Sequence, residues 1–153
     1  MAISWAKGFQ FKAKAEDAKR VMDELAVKGK LTAANLVEIS KPEDAPLHND
    51  FEWNDTIAAQ KWREQTGRTM IAMIVVTPDK DEEEKTPVRC YFNIEKTSPI
   101  YTPTEVIFSD EAKTERLLEV AKRELKSFLV KYRTLTKLAG ICNAIEELLD
   151  EDE

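Results

Sequence analysis

Apolar residues recur at helical spacing over residues 16–28, where Ala18, Val21, Met22 and Leu25 share one side and Gly29 ends the run. Thr32 opens a second, shorter helix. Its hydroxyl can cap the free amides, and Leu36, Val37 and Ile39 supply the apolar side. Residues 41–46 hold two prolines and read as a loop. Helix resumes after Asn54 and Asp55, either of which can cap it, and runs through Ile57, Ala58 and Trp62 to Thr66 or beyond, Gly67 leaving its end open. Residues 70–76 are almost continuously apolar and partly β-branched, and residues 88–94 read as a second strand. Between them lies a charged connection bracketed by Pro78 and Pro87, which predicts a hairpin with a long solvated loop. Residues 70–74 would equally continue the preceding helix, because a buried helix and a buried strand look alike over so few positions. Residues 5–11 offer a third strand, since an isolated hairpin is marginal.

The last element carries the strongest period. After Ser109 and Asp110 as a cap, Leu118, Ala121, Leu125, Phe128, Tyr132, Leu135, Ala139 and Cys142 alternate by three and four, a seam of about three and a half heptads. Gly140 is expected to bend or break it, with Ile141, Ile145, Leu148 and Leu149 in a final short helix. Thirty helical residues would span roughly 45 Å, more than a small domain needs. The seam therefore predicts either a dimer contact or an extended helical hairpin, or else packing on the protein's own sheet and helices. The expected fold is α+β, a single domain over residues 1–150. Its helical part covers about 16–68, a small antiparallel hairpin about 70–95, and a long carboxy-terminal helix about 110–149. Residues 150–153 form an acidic tail end, and the assembly is a homodimer or a larger homo-oligomer.

Charge changes this picture more than composition does. The chain of 153 residues has net charge -6, yet Glu146, Glu147, Asp150, Glu151, Asp152 and Glu153 alone supply six negative charges. The remainder is neutral overall, and residues 113–137 carry eight bases against three acids. Arg116, Arg123, Lys126, Arg133 and Lys137 fall at outward heptad positions opposite the apolar seam, a stripe suited to phosphate contact or simply a solvated face. Lys61, Arg63 and Arg68 on the third helix would reach DNA if the first three helices formed a helix-turn-helix, to which residues 40–54 give too long a loop. The acids at 79–84 and at the carboxy terminus read as solubilising segments, as a mimic of a phosphate backbone, or as a mask over the basic stripe. No apolar run approaches the roughly 18 residues of a membrane span, and no basic-then-apolar leader is present, so a cytoplasmic protein without membrane contact is expected.

Little in the chain calls for catalysis. Cys90 and Cys142 lack metal-ligand spacing and read as buried free thiols, and His48 is the single histidine. No glycine loop for phosphates, nucleophile elbow or Cys–His pair occurs, so no enzyme, cofactor or metal site is expected. His48, Asp50, Glu52 and Asp55 cluster in sequence. Alternating Asp50 and Glu52 would suit a hard cation, whereas the bland reading has Leu47, Phe51 and Trp53 plugging a core while the acids face water or cap a helix.

Those residues belong to a recognisable segment. Residues 31–63, with Pro46-Leu47-His48, then Phe51-Glu52-Trp53-Asn54-Asp55 and the pair Ala58-Ala59 before Arg63, resemble a family of tailed-bacteriophage and prophage proteins. Tyr101 and Val106 before the long helix, and Lys131-Tyr132-Arg133 with Ala144-Ile145 near its end, follow the same order. Asn54 stands where the family has an acid, and Trp62 where it has a smaller aromatic. The resemblance implies provenance, hence a bacterial host cell, rather than an activity. It leaves three expectations. One is an accessory protein that binds nucleic acid or a nucleoprotein complex. Another is an inhibitor or adaptor of anti-defence type, binding a host or phage protein through Trp53 and the acidic loop at Glu82, Glu83 and Glu84. The third is a virion assembly component.

Overall fold

The computed structural model describes residues 1–78 and 86–151. Glu82, Glu83 and Glu84 lie outside the described residues, as do the last two acids of the tail. The fold is α+β, as its periodicities predict, and the chain divides into two compact units, Met1–Ser109 and Asp110–Glu153.

In the first unit, β1 (Ala2–Trp5) leads through Gly8, at φ +90°, to α1 (Ala15–Val27), which Gly29 ends at φ +68°. The expected third strand thus lies earlier than residues 5–11. Phe11 instead packs its ring on Trp5, with centroids 4.5 Å apart. Thr32 caps α2 (Ala33–Ile39), its Oγ1 accepting from Asn35 N at 3.0 Å. A 3-10 turn, His48–Asp50, precedes α3 (Ile57–Met73). Its cap is Thr56, whose Oγ1 accepts from Ala59 N, not Asn54 or Asp55.

α3 runs past the expected Thr66 because its buried face, Arg63, Gly67, Met70 and Ile71, keeps helical spacing into the apolar run. Of the two readings of residues 70–74, the helical one holds as far as Met73. Gly67 lets α2 and α3 approach closely, since a Cβ there would stand 3.3 Å from the carbonyl oxygen of Ala33. β2 (Ile74–Thr77) pairs antiparallel with β1 and with β3 (Val88–Arg89). The expected second strand is divided. β4 (Tyr91–Phe92) turns to a separate pairing with β5 (Thr102–Pro103), and Cys90 is the hinge, its N–H donating to Ile74 and its carbonyl accepting from Thr104. The short α4 (Thr104–Phe108) follows. The core gathers Met22, Leu36, Leu47, Met70, Ile71 and Tyr91, all with almost no exposed surface.

The second unit holds two helices. Asp110 caps α5 (Glu111–Tyr132), as expected, its Oδ1 accepting from Lys113 N at 3.2 Å. The helix ends well before Gly140. Leu135 is extended between two β-branched threonines, a 3-10 turn covers Thr136–Leu138, and α6 is Ala139–Asp150. Gly140 sits in the first turn of α6, where helix propensity matters least. The final helix reaches Asp150, one residue beyond the expected end, and Glu146 accepts from Arg133 Nη2 at 3.0 Å. Cys90 and Cys142 are both buried free thiols. Among the described residues, no helix is long and apolar enough to cross a membrane.

Candidate nucleic-acid interface

The sequence signature turns inward. Both carboxylate oxygens of Asp50 accept backbone N–H groups, from Lys12 at 2.6 Å and Ala13 at 2.9 Å, and so fasten the loop before α1. The ring of His48 donates through Nδ1 to the carbonyl of Ser40 at 2.9 Å and stacks on Trp53, centroids 5.0 Å apart and nearly parallel. Trp53 donates its Nε1–H back to the carbonyl of His48 at 2.8 Å. The guanidinium of Arg63 lies over the same indole at 5.2 Å and donates to the Glu52 carbonyl at 2.6 Å and to Gln60 Oε1 at 3.0 Å.

These bonds correct two expectations. Arg63 is only 3% exposed, so its charge is spent on the segment before α3 and is not offered to a phosphate. Its ion pair with Asp55, at 3.4 Å, adds little, because the Asp55 side chain is 95% exposed. Trp53 is a half-buried staple between His48 and Arg63 rather than a projecting anchor. Asp50 and Glu52 do not share one side of an extended segment, since Asp50 ends the 3-10 turn and is consumed by backbone donors.

What α3 does present is a line of polar side chains on its outer face. Lys61, Gln65 and Arg68 are exposed at successive turns, and Arg68 Nε donates to Gln65 Oε1 at 3.3 Å. Beside them stands Trp62, 65% exposed. Ile57, also exposed, falls outside the buried face of this helix as well. The spacing of Arg63, Gly67, Met70 and Ile71 was the signal for the opposite face, obscured because its first members are an arginine and a glycine.

On α5, Arg116, Arg123 and Lys126 are exposed and, at 3.6 residues per turn, lie within about 80° of one another, with Glu119 in the same strip. Arg133 caps the helix and is engaged by Glu146, and Lys137 lies in the 3-10 turn, so neither continues the strip as a regular heptad would. Lys61 and Arg68 belong to the first unit and the α5 bases to the second.

A third cluster lies in the first unit, in a cleft of about 390 Å³ lined in part by Lys19, Asp23, Arg89, Cys90 and Glu105. Lys19 Nζ donates to both oxygens of Asp23 at 2.8 Å, and Tyr91 Oη donates to Asp23 Oδ1 at 2.6 Å. Burial pushes the Cys90 thiol up to about 11, with Lys19 opposing weakly, so the group is a thiol and not a nucleophilic thiolate at neutral pH. Burial and the bond to Asp23 likewise raise Tyr91 well above an ordinary phenol.

Comparison of the chain with protein-family models, with curated proteins and with solved structures finds no match.

Proposed function

We propose that this protein is a non-enzymatic phage or prophage accessory protein that acts by binding nucleic acid or a nucleoprotein complex. The observation that carries this reading is the exposure of Arg116, Arg123 and Lys126 along one strip of a regular helix, in a chain whose overall acidity comes from its last eight residues. Clustered cations on a rigid element contact phosphates without sequence preference and release counterions on binding. Lys61 and Arg68 on α3 form a second basic surface, where Gln65 can accept or donate at a base edge and Trp62 can stack on an unpaired base. The bases of Arg63, Arg133 and Lys137 are left out of it.

The test is fluorescence anisotropy with labelled duplex and single-stranded DNA over roughly 50 to 200 mM salt. Binding whose affinity falls steeply and linearly on logarithmic axes supports the reading. No binding at the lowest salt, or binding insensitive to salt, rules it out. A reading as a host-protein inhibitor draws on one observation, the exposed indole of Trp62, since aromatic anchors are common at protein interfaces. That reading predicts a host protein retained by the tagged chain after nuclease treatment and released by Trp62→Ala.

A further inference from the structure

We infer that the cleft between α2, α3 and the β4–β5 connection receives one unpaired guanine base of a bound strand, with Glu64 and Arg68 reading its edge. The inference deepens the nucleic-acid reading and rests on it. The cleft has a volume of about 330 Å³, at the small end of the range for ligand sites, and lies beside the line of Lys61, Gln65 and Arg68 on α3. Its walls are fixed by the fold. Gly67 lets α2 lie close on α3, and Tyr101 N donates to the Leu31 carbonyl at 2.8 Å, which holds Tyr101 against the start of α2. Asn93 closes the β4–β5 connection, its Nδ2 donating to the Ser98 carbonyl at 2.9 Å and its Oδ1 accepting from Glu95 N at 3.2 Å.

Bonding capacity is left over in this cleft. Arg68 spends Nε on Gln65, and neither of its Nη atoms meets an acceptor among the described residues. Glu64 Oε1 accepts a long bond from Gln60 Nε2 at 3.4 Å, and Oε2 meets no donor among the same residues. Glu64 and Arg68 stand four residues apart on one face, with Cβ atoms roughly 6 Å apart, a spacing at which opposite charges can pair. No ion pair joins them among the described residues.

An ionised carboxylate only accepts hydrogen bonds, and a guanidinium only donates them. Among the four bases, guanine alone carries two adjacent donors, N1–H and the N2 amino group, on the edge that also bears the acceptor O6, with N7 beyond it. Glu64 takes the two donors, and the Arg68 fork takes O6 and N7. Adenine and cytosine offer the carboxylate one donor next to an acceptor, and thymine one donor between two acceptors. Each of them sets a lone pair against Glu64. Ala33, Ala34, Pro99 and the half-buried Tyr101 supply the apolar wall that the flat face of a base needs.

The test is fluorescence anisotropy of the full chain with labelled thymine strands of roughly twelve nucleotides, each carrying one central guanine, adenine, cytosine or inosine, at low salt. The guanine strand binds about tenfold more tightly than the all-thymine strand, adenine and cytosine stay close to thymine, and inosine, which lacks the N2 amino group, falls between. In Glu64→Gln the guanine strand loses its advantage. Adenine equal to guanine marks plain purine stacking and overturns the inference, as does a guanine preference that survives in Glu64→Gln with an unchanged circular dichroism signal. If all strands bind alike, the inference fails and the nucleic-acid reading stands. If none binds at the lowest salt, both fail.

Discussion

The segment around residues 46–63 and the helices α5 and α6 use their side chains in opposite senses. In the first, an arginine, a histidine, a tryptophan and an aspartate, the residue types most suggestive of a site, are turned inward and bonded to one another and to backbone carbonyls and amides. In the second, Leu118, Tyr132, Ile141 and Leu148, of types expected inside, are exposed. A recognisable motif is thus the fastening of the fold, and the plainest repeat in the chain is an open surface. Chemical richness marks a site only when some of its bonding capacity is left over, and in the first segment little is.

The largest effect that tests this contrast is on stability. Arg63→Met removes the short bond to the Glu52 carbonyl and the bond to Gln60 from a buried position, and is expected to cost about 3 kcal/mol in urea unfolding. Arg68→Ala, on the same helix but exposed, should stay within about 0.5 kcal/mol. Equal effects would erase the distinction between fastening and surface.

Alkaline pH acts next. The unfolded chain loses its Cys90 proton near 9 and the folded chain only near 11, so above pH 9 the unfolded state binds fewer protons and stability falls as pH rises. Tyr91, raised in the same direction, adds to the loss above its ordinary value of 10. The Cys90 contribution, present in full below pH 9, is about 3 kcal/mol and is lost as pH rises through 11. Denaturant midpoints measured from pH 8 to 11 should fall in wild type and fall less in Cys90→Ala.

Smaller effects belong to the caps. Thr32→Ala and Thr56→Ala each remove a side-chain acceptor from a helix amino terminus and should cost about 1 kcal/mol apiece by the same unfolding measurement. The double variant Lys61→Gln with Arg68→Gln should leave stability unchanged and lower the slope of log affinity for DNA against log salt by about 1 to 2.

Much of the fold was legible because local signals agreed. Gly29 and Thr32 mark the boundary between α1 and α2, and Asp110 the start of α5. What escaped was set by tertiary contacts. Continuous apolar character over residues 70–76 hides a helix-to-strand change at Ile74 that only the core packing of Met70 and Ile71 decides. The division of the second strand at Cys90 depends on two pairing partners, Ile74 and Thr104, distant in sequence. The candidate site was half legible. Lys61, Arg68, Arg116, Arg123 and Lys126 are exposed as their polarity suggested, but nothing local distinguishes Arg63 from Lys61 two residues earlier. Only the helix period, once its buried face is known, sends one inward and the other out.

The measurement that bears most directly on the central claim is the salt dependence of DNA affinity for wild type beside the triple variant Arg116→Gln, Arg123→Gln, Lys126→Gln. Neutralising three phosphate contacts should flatten the slope of log affinity against log salt by roughly 2 to 3, with the unfolding midpoint unchanged. An unaltered slope in a folded triple variant would contradict the account, because the exposed strip on α5 would then not be the surface that meets phosphate.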